Sequence, residues 1–256
     1  MSRQAARAVF AVLGLLLALL PGVAAAATAA TASVGGVTVN LDSAAAAPEM
    51  ASALQVLALL TVLSLAPAIL MVLTAFTRII IVLSMLRLAF GMQSTPPNTV
   101  LVSLALFLTL FTMTPVIEEM NRVAFDPYSA GEITTMEAAQ KALVPLRGFM
   151  IRQTREKDMA LVIELSGKPR PTSMEQIETT TLIPAFMLSE LQTAFQIGFV
   201  IFLPFLLIDL ISASVLMAMG MIMVPPLTIA LPIKVLMFVL IEGWALVAKA
   251  LVGSFA

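Results

Sequence analysis

The chain has 256 residues, 60% of them hydrophobic and 11% charged, with a net charge of −1. That is the composition of a membrane protein, and the near-neutral balance argues against a nucleic-acid footprint. With no cysteine and no histidine, disulfides, thiolate chemistry, His-ligated metals and Ser-His or Cys-His nucleophile pairs are excluded.

Residues 1–26 read as a signal peptide: Arg3 and Arg7, an apolar run from Ala8 to Leu20, a Pro21-Gly22 break, then small residues. Cleavage is expected at or near Ala26, the alternative being an uncleaved short anchor. Residues 27–51 are small and polar and are expected to form a flexible periplasmic N-terminus. Residues 52–117 form a first apolar hairpin. No residue from Met50 to Thr77 is charged, and Pro67 is expected to break the helix. A second uncharged run, Leu88 to Ile117, contains Pro96-Pro97.

The segment 118–181 differs in kind. It holds ten of the fifteen acidic residues and eight of the fourteen basic ones, so it is expected to be a small solvated helical domain of two or three helices. Thr134 with Glu137, and Ser173 with Gln176, have the spacing of a capping box. Gly167 before Pro169 is a helix stop, and Leu146, Phe149 and Met150 form an apolar stripe between.

Residues 182–256 form a second apolar hairpin with charges at depth. Glu190, Gln192, Gln196 and Asp209 interrupt the apolar run, and ionisable groups there are expected to face a partner or a water-filled path. Met217, Met219, Met221 and Met223 then recur at every second position around Gly220, before Pro225-Pro226. A step of two turns about 200° on an α-helix, whereas alternate residues of an extended loop share one side. The expectation is therefore a Met-lined loop, with Gly220 and the proline pair as its hinge. Ordinary methionine gap-filling at a helix end is the alternative. Asp209 and Lys234 lie alone in apolar sequence on either side of this loop and are natural partners, within one hairpin or between copies. Otherwise Lys234 snorkels and Asp209 meets water. Gln192 and Gln196 are i,i+4 neighbours suited to an inter-subunit or buried polar contact. Glu242 and Lys249 either share a helical face or are exposed.

One internal repeat spans both hairpins. Residues 91–99 and 220–228 share the pattern GMxxxPPxT, each after a long apolar stretch carrying one proline, Pro67 or Pro204. A true repeat and a coincidence in a Met-rich chain both remain open. If real, the chain is two hairpins running the same way with the charged domain between them. The first arm, Leu54 to Phe90, would be about 55 Å as one helix, too long for a hydrocarbon core of about 30 Å. Arg78 and Arg87, read with the signal peptide, place the hairpin tips at the cytoplasmic side and the charged domain in the periplasm.

Catalysis is not expected: Asp209 is the only aspartate in either hairpin, no nucleophile, base and orienter accompany Glu190 and Glu242, and no phosphate-binding Gly loop is present. No cofactor and no metal is expected. A small secondary transporter would suit broken helices with charges at depth, but four apolar arms give one chain little wall. A scaffold subunit of another membrane complex is a further alternative. A subunit of an oligomeric protein-conducting gate solves the wall problem with copies, its Met-loops forming a compliant constriction.

The blocks PAFMLSELQTAFQIGF (184–199), PFLLIDL (204–210) and VLMAMGMIMVPP (215–226) resemble the FliP family of flagellar type III export-gate proteins, related to the SctR proteins of virulence secretion. The resemblance extends from about Leu54 to the C-terminus. It implies an all-α, membrane-associated fold of two long broken helical hairpins with a small periplasmic helical domain between them. It further implies a homo-oligomer, a pentamer, working with FliR, FliQ, FlhB and FlhA in the inner membrane of the flagellar basal body and passing unfolded export substrates. The methionine gasket of the family falls on Met217, Met219, Met221 and Met223.

Overall fold

The computed structural model describes residues 47–92, 94–167, 176–221 and 223–255. The expected signal peptide, most of the N-terminal stretch, Ser173 and Pro169 lie outside them. Every regular element among the described residues is helical: α1 Ala47–Leu73, α2 Phe76–Ala89, α3 Asn98–Met120, a π-helical turn Asn121–Phe125, α4 Asp126–Ser129, α5 Thr135–Gln153, α6 Glu156–Leu165, α7 Thr179–Ala218, α8 Pro226–Leu240 and α9 Gly243–Gly253. The all-α expectation holds.

Two helical runs, Asn98–Ser129 and Thr179–Ala218, are long and apolar enough to cross a membrane. The bent pairs Pro67–Leu73 with Phe76–Ala89 and Pro226–Leu240 with Gly243–Gly253 raise this to four if each pair is one broken span. The 40-residue α7 is about 60 Å long at about 1.5 Å per residue.

Prolines do not end these helices. Pro67 lies inside α1, and Pro184 and Pro204 inside α7; the expected break at Pro67 falls instead at Thr74 and Ala75. There Thr74 Oγ1 accepts the Phe76 N–H at 3.3 Å and Thr77 Oγ1 donates to the Met71 carbonyl at 2.8 Å. Threonine hydroxyls thus take up backbone groups that the interrupted ladder leaves free. At its start, α1 takes in residues 47–51, assigned by sequence to the flexible stretch. Pro48 in the first turn suits this, since its missing N–H would have had no helical partner.

The chain divides into two compact units. The first joins described residues up to Leu70 with Ile117–Pro145. Its entry to α5 is a capping box: the Glu137 carboxylate accepts from the Thr134 backbone N–H at 2.8 Å, and Thr134 Oγ1 accepts the Glu137 N–H at 3.3 Å. Ala124, Ala138, Ala139 and Ala142 supply its buried small residues.

The second unit joins Met71–Val116 with Leu146–Ala256. In it α2 packs along α7, with α6 and α8 also against α7 and α9 against α8. The buried Ile79, Val82, Leu83 and Leu86 follow the i, i+3, i+4, i+7 spacing of one helical face. Gly198 lets α2 approach α7: a Cβ there would lie 2.3 Å from the Met85 sulfur. Phe149 and Met150 are buried, Leu146 half-buried, as the apolar stripe requires. Gly167, at φ +65°, ends α6 in the left-handed conformation expected of a glycine stop.

Candidate functional site

Two groups of functional side chains sit in the second unit. The first centres on Arg78, in the first turn of α2, 2% exposed. Its Nε donates to Glu190 Oε2 at 2.9 Å and its Nη2 pairs with Glu190 Oε1. Nη2 also donates to Gln153 Oε1 at 3.1 Å, and Nη1 to the Ser254 carbonyl at 2.7 Å and Ser254 Oγ at 3.0 Å. All five guanidinium N–H groups therefore have an acceptor, the condition under which a buried charge is tolerated. The Phe255 ring lies 3.8 Å beneath the guanidinium carbon. Gln153 Nε2 donates to the Phe255 carbonyl at 3.1 Å, and Ser189 Oγ donates to the Gln153 carbonyl at 3.1 Å. One arginine thus fastens α2, the end of α5, α7 and the residues after α9.

This overturns part of the sequence reading. Arg78 served there as an inside-positive marker at a hairpin tip; here it is a buried ion-pair partner, and only Arg87 lies beside a tip. Of the three polar residues grouped together on α7, Glu190 is fully buried, whereas Gln192 and Gln196 are exposed beside Phe195 and Phe199. They lie on the opposite side of α7 from Glu190 and share no site with it. Glu190 and Glu242 do not form a carboxylate pair either: Glu242 is exposed at the α8–α9 joint, and so is Lys249.

The second group surrounds the repeat. Lys234, 1% exposed, donates to Asp209 Oδ2 at 2.7 Å and to the Ala89 carbonyl at 2.8 Å. Its charge therefore lies at the C-terminal end of α2 as well as against α7, where a cation suits the helix dipole. Asp209 remains 39% exposed. Phe205 and Phe238 each pack edge to face against Phe90, beside Ala89, with centroids 4.9 Å and 5.0 Å away.

Both repeat glycines take the left-handed conformation, Gly91 at φ +78° and Gly220 at φ +74°. A Cβ on Gly91 would meet Leu227 Cδ1 at 2.7 Å, so the first loop lies against the residue that follows the second proline pair. At the second loop, the Gly220 N–H donates to the Met217 carbonyl and the Met221 N–H to the Leu216 carbonyl, each at 3.0 Å. This is a Schellman closure, with Gly220 past the helix end.

The closure changes the expectation for the methionines. Met217 lies in the last turn of α7 and Met219 is its C-cap; only Met221 and Met223 belong to the loop. The four do not share one face of an extended strand, because the helix persists to Ala218 where the sequence reading ended it earlier. They are nevertheless exposed, Met223 to 96%. No cluster of three or more metal-ligating side chains occurs among the described residues.

Fold and side-chain chemistry define a helical membrane protein whose buried ions fasten helices to one another and whose methionine tip is bare. The FliP family model matches residues 59–251. A flagellar biosynthetic protein FliP from Bacillus subtilis is 50% identical over 217 residues, 85% of this chain and 98% of that protein. Proteins of the same name from Pectobacterium carotovorum and Caulobacter vibrioides are 52% and 47% identical, over 78% and 86% of this chain and 78% and 82% of theirs. The chain belongs to the FliP family.

Proposed function

We propose that this chain is a core subunit of the flagellar type III export gate in the bacterial inner membrane, and that Met217, Met219, Met221 and Met223 form its gasket. Copies assemble as a homo-oligomer, a pentamer, with FliR, FliQ, FlhB and FlhA as partners and unfolded flagellar proteins as cargo. The charged segment 118–181 faces the periplasm. Arg87 at the first tip and the expected signal peptide support that orientation.

One observation carries the gasket reading. Two loops share a sequence frame and a glycine conformation, yet Gly91 of the first lies against Leu227, whereas the second leaves Met223 at 96% exposure with open space around Gly220. Unbranched thioethers repack around unlike surfaces, which suits a seal that closes on different chains. Copies also need apolar faces to meet. The outer side of α7 offers Phe195, Phe199, Val200, Leu203 and Leu207, all exposed, beside Gln192 and Gln196.

Replacing Met219, Met221 and Met223 together with alanine is the test. The expected outcome is raised ion conductance of membranes carrying the assembled complex, with particle mass and symmetry unchanged. Assembled mutant complexes as tight as wild type sink the gasket reading; a stable monomer after detergent extraction sinks the gate.

A further inference from the structure

The joint between α8 and α9 is strained in a way the rest of the chain is not. Glu242 adopts φ +52° and ψ +46°, and no other non-glycine residue among those described has a positive φ. Asparagine or aspartate can offset this conformation through a short side-chain hydrogen bond, but Glu242 makes no capping bond of that kind. The helix axis turns by 67° here. Immediately after it, Gly243 is buried under Phe238, where a Cβ would lie 2.2 Å from ring carbons. Trp244 stands edge-on to the same ring at 5.4 Å. Beyond the joint, α9 buries Val247 and Leu251, and the chain then reaches Ser254 and Phe255 in the grip of Arg78.

The strain sits at one end of α9 and the fastening at the other. We propose that α9 is a latched arm: Arg78, through Ser254 and Phe255, holds it folded at a strained elbow, and release lets residues 226–253 straighten into one continuous helix. That helix would be about 42 Å long, more than a hydrocarbon core of about 30 Å. The two segments together pass as one apolar span. Straightening returns Glu242 to ordinary helical angles and gives the carbonyls of α8's last turn a full set of helical partners. The cost is loss of the burial of Gly243, Val247 and Leu251 and of the Arg78 contacts. The bent and straight arms are thus two packings of the same residues, biased by residue 242 and by the latch. The inference concerns this chain's own conformations and does not rest on the export reading.

The absence of cysteine makes the test direct. Leu251→Cys, at a position with no exposure, is introduced into the full chain, and its maleimide labelling rate is measured in native membranes. Residue 242 is then varied. Glycine relieves the left-handed conformation and is expected to slow labelling about five- to thirty-fold. Valine, whose branched side chain tolerates that conformation least, is expected to speed it. Ser254→Ala with Phe255→Leu weakens the latch and is expected to raise labelling several-fold, with Glu242→Gly reversing the rise. Equal rates for glycine, glutamate and valine overturn the proposal. Met150→Cys, buried in α5, serves as the control: if its labelling rises together with that of Leu251→Cys, the event is general loosening and the latched arm is rejected.

Discussion

The two GMxxxPPxT loops differ in what their neighbours do. At the first, Arg87 Nη1 donates to Asn98 Oδ1 at 2.6 Å across the loop, Gly91 lies against Leu227, and Ala89 receives Lys234. At the second, the glycine meets nothing and the methionines project. The same local frame therefore yields one loop tied to its own chain and one whose methionines stay exposed. Residues beside and within the frame decide this: Arg87 before the first and Asn98 at its variable eighth position have no polar counterparts in Leu216 and Leu227 of the second. A repeat sets a turn; the side chains at its variable and neighbouring positions set what the turn touches.

The largest test of this contrast is the ion pair that ties the second hairpin to the first loop. Asp209→Ala leaves Lys234 buried with only the Ala89 carbonyl and is expected to cost about 3–5 kcal/mol. Lys234→Met leaves an aspartate that can reach solvent and is expected to cost less. Thermal unfolding in detergent should rank the two in that order, each kcal/mol lowering the midpoint by about 2–4 °C. The reverse ranking would show that Asp209 is held elsewhere. The charge exchange Asp209→Lys with Lys234→Asp should rescue poorly, because it puts a carboxylate against the Ala89 carbonyl.

The glycines come next. Alanine at either position is strained by about 1–2 kcal/mol in the left-handed region, but Gly91→Ala must also displace Leu227. Gly91→Ala is therefore expected to lower the unfolding midpoint more than Gly220→Ala; equal losses would remove the packing difference. Smaller again, Asn98→Ala removes the acceptor opposite Arg87 and is expected to cost about 1 kcal/mol, with no counterpart at the second loop.

The smallest effect lies away from both loops. Hydrogen bonds from the Thr134 backbone N–H and hydroxyl hold the Glu137 carboxyl below its ordinary value. A depressed carboxylate contributes stability above its unfolded pKa and loses it as pH falls through the folded one. The protection factor of the Thr134 amide, its exchange relative to the unstructured chain at the same pH, should fall on acidification below about pH 4, and Glu137→Gln should abolish that dependence.

What could be read from the sequence was what neighbours in the chain determine. The Thr134–Glu137 box, the Gly167 stop and the two glycine turns are each set within a few residues. The pairing of Asp209 with Lys234 was open to inference because both are lone charges in apolar surroundings. Arg78 with Glu190 was not: 112 residues separate them, and Arg78 also looked useful as a topology marker. Its third attachment, Ser254, is 176 residues away, and nothing in an ordinary serine near a C-terminus signals such a role. The α1–α2 break carries neither glycine nor proline, so its threonines gave no warning. Glu242 was invisible for a related reason: the glycine that usually marks a left-handed turn sits one position later, where Phe238 needs the space.

The edge contact between Trp244 and Phe238 has an optical consequence. Trp244 is the chain's only tryptophan, and the only tyrosine, Tyr128, belongs to the other compact unit. Excitation at the red edge therefore selects a single indole, 47% exposed and two residues from the elbow. Its emission colour and its quenching by lipid-borne or aqueous agents report the surroundings of that one point, without a dye and without an added cysteine.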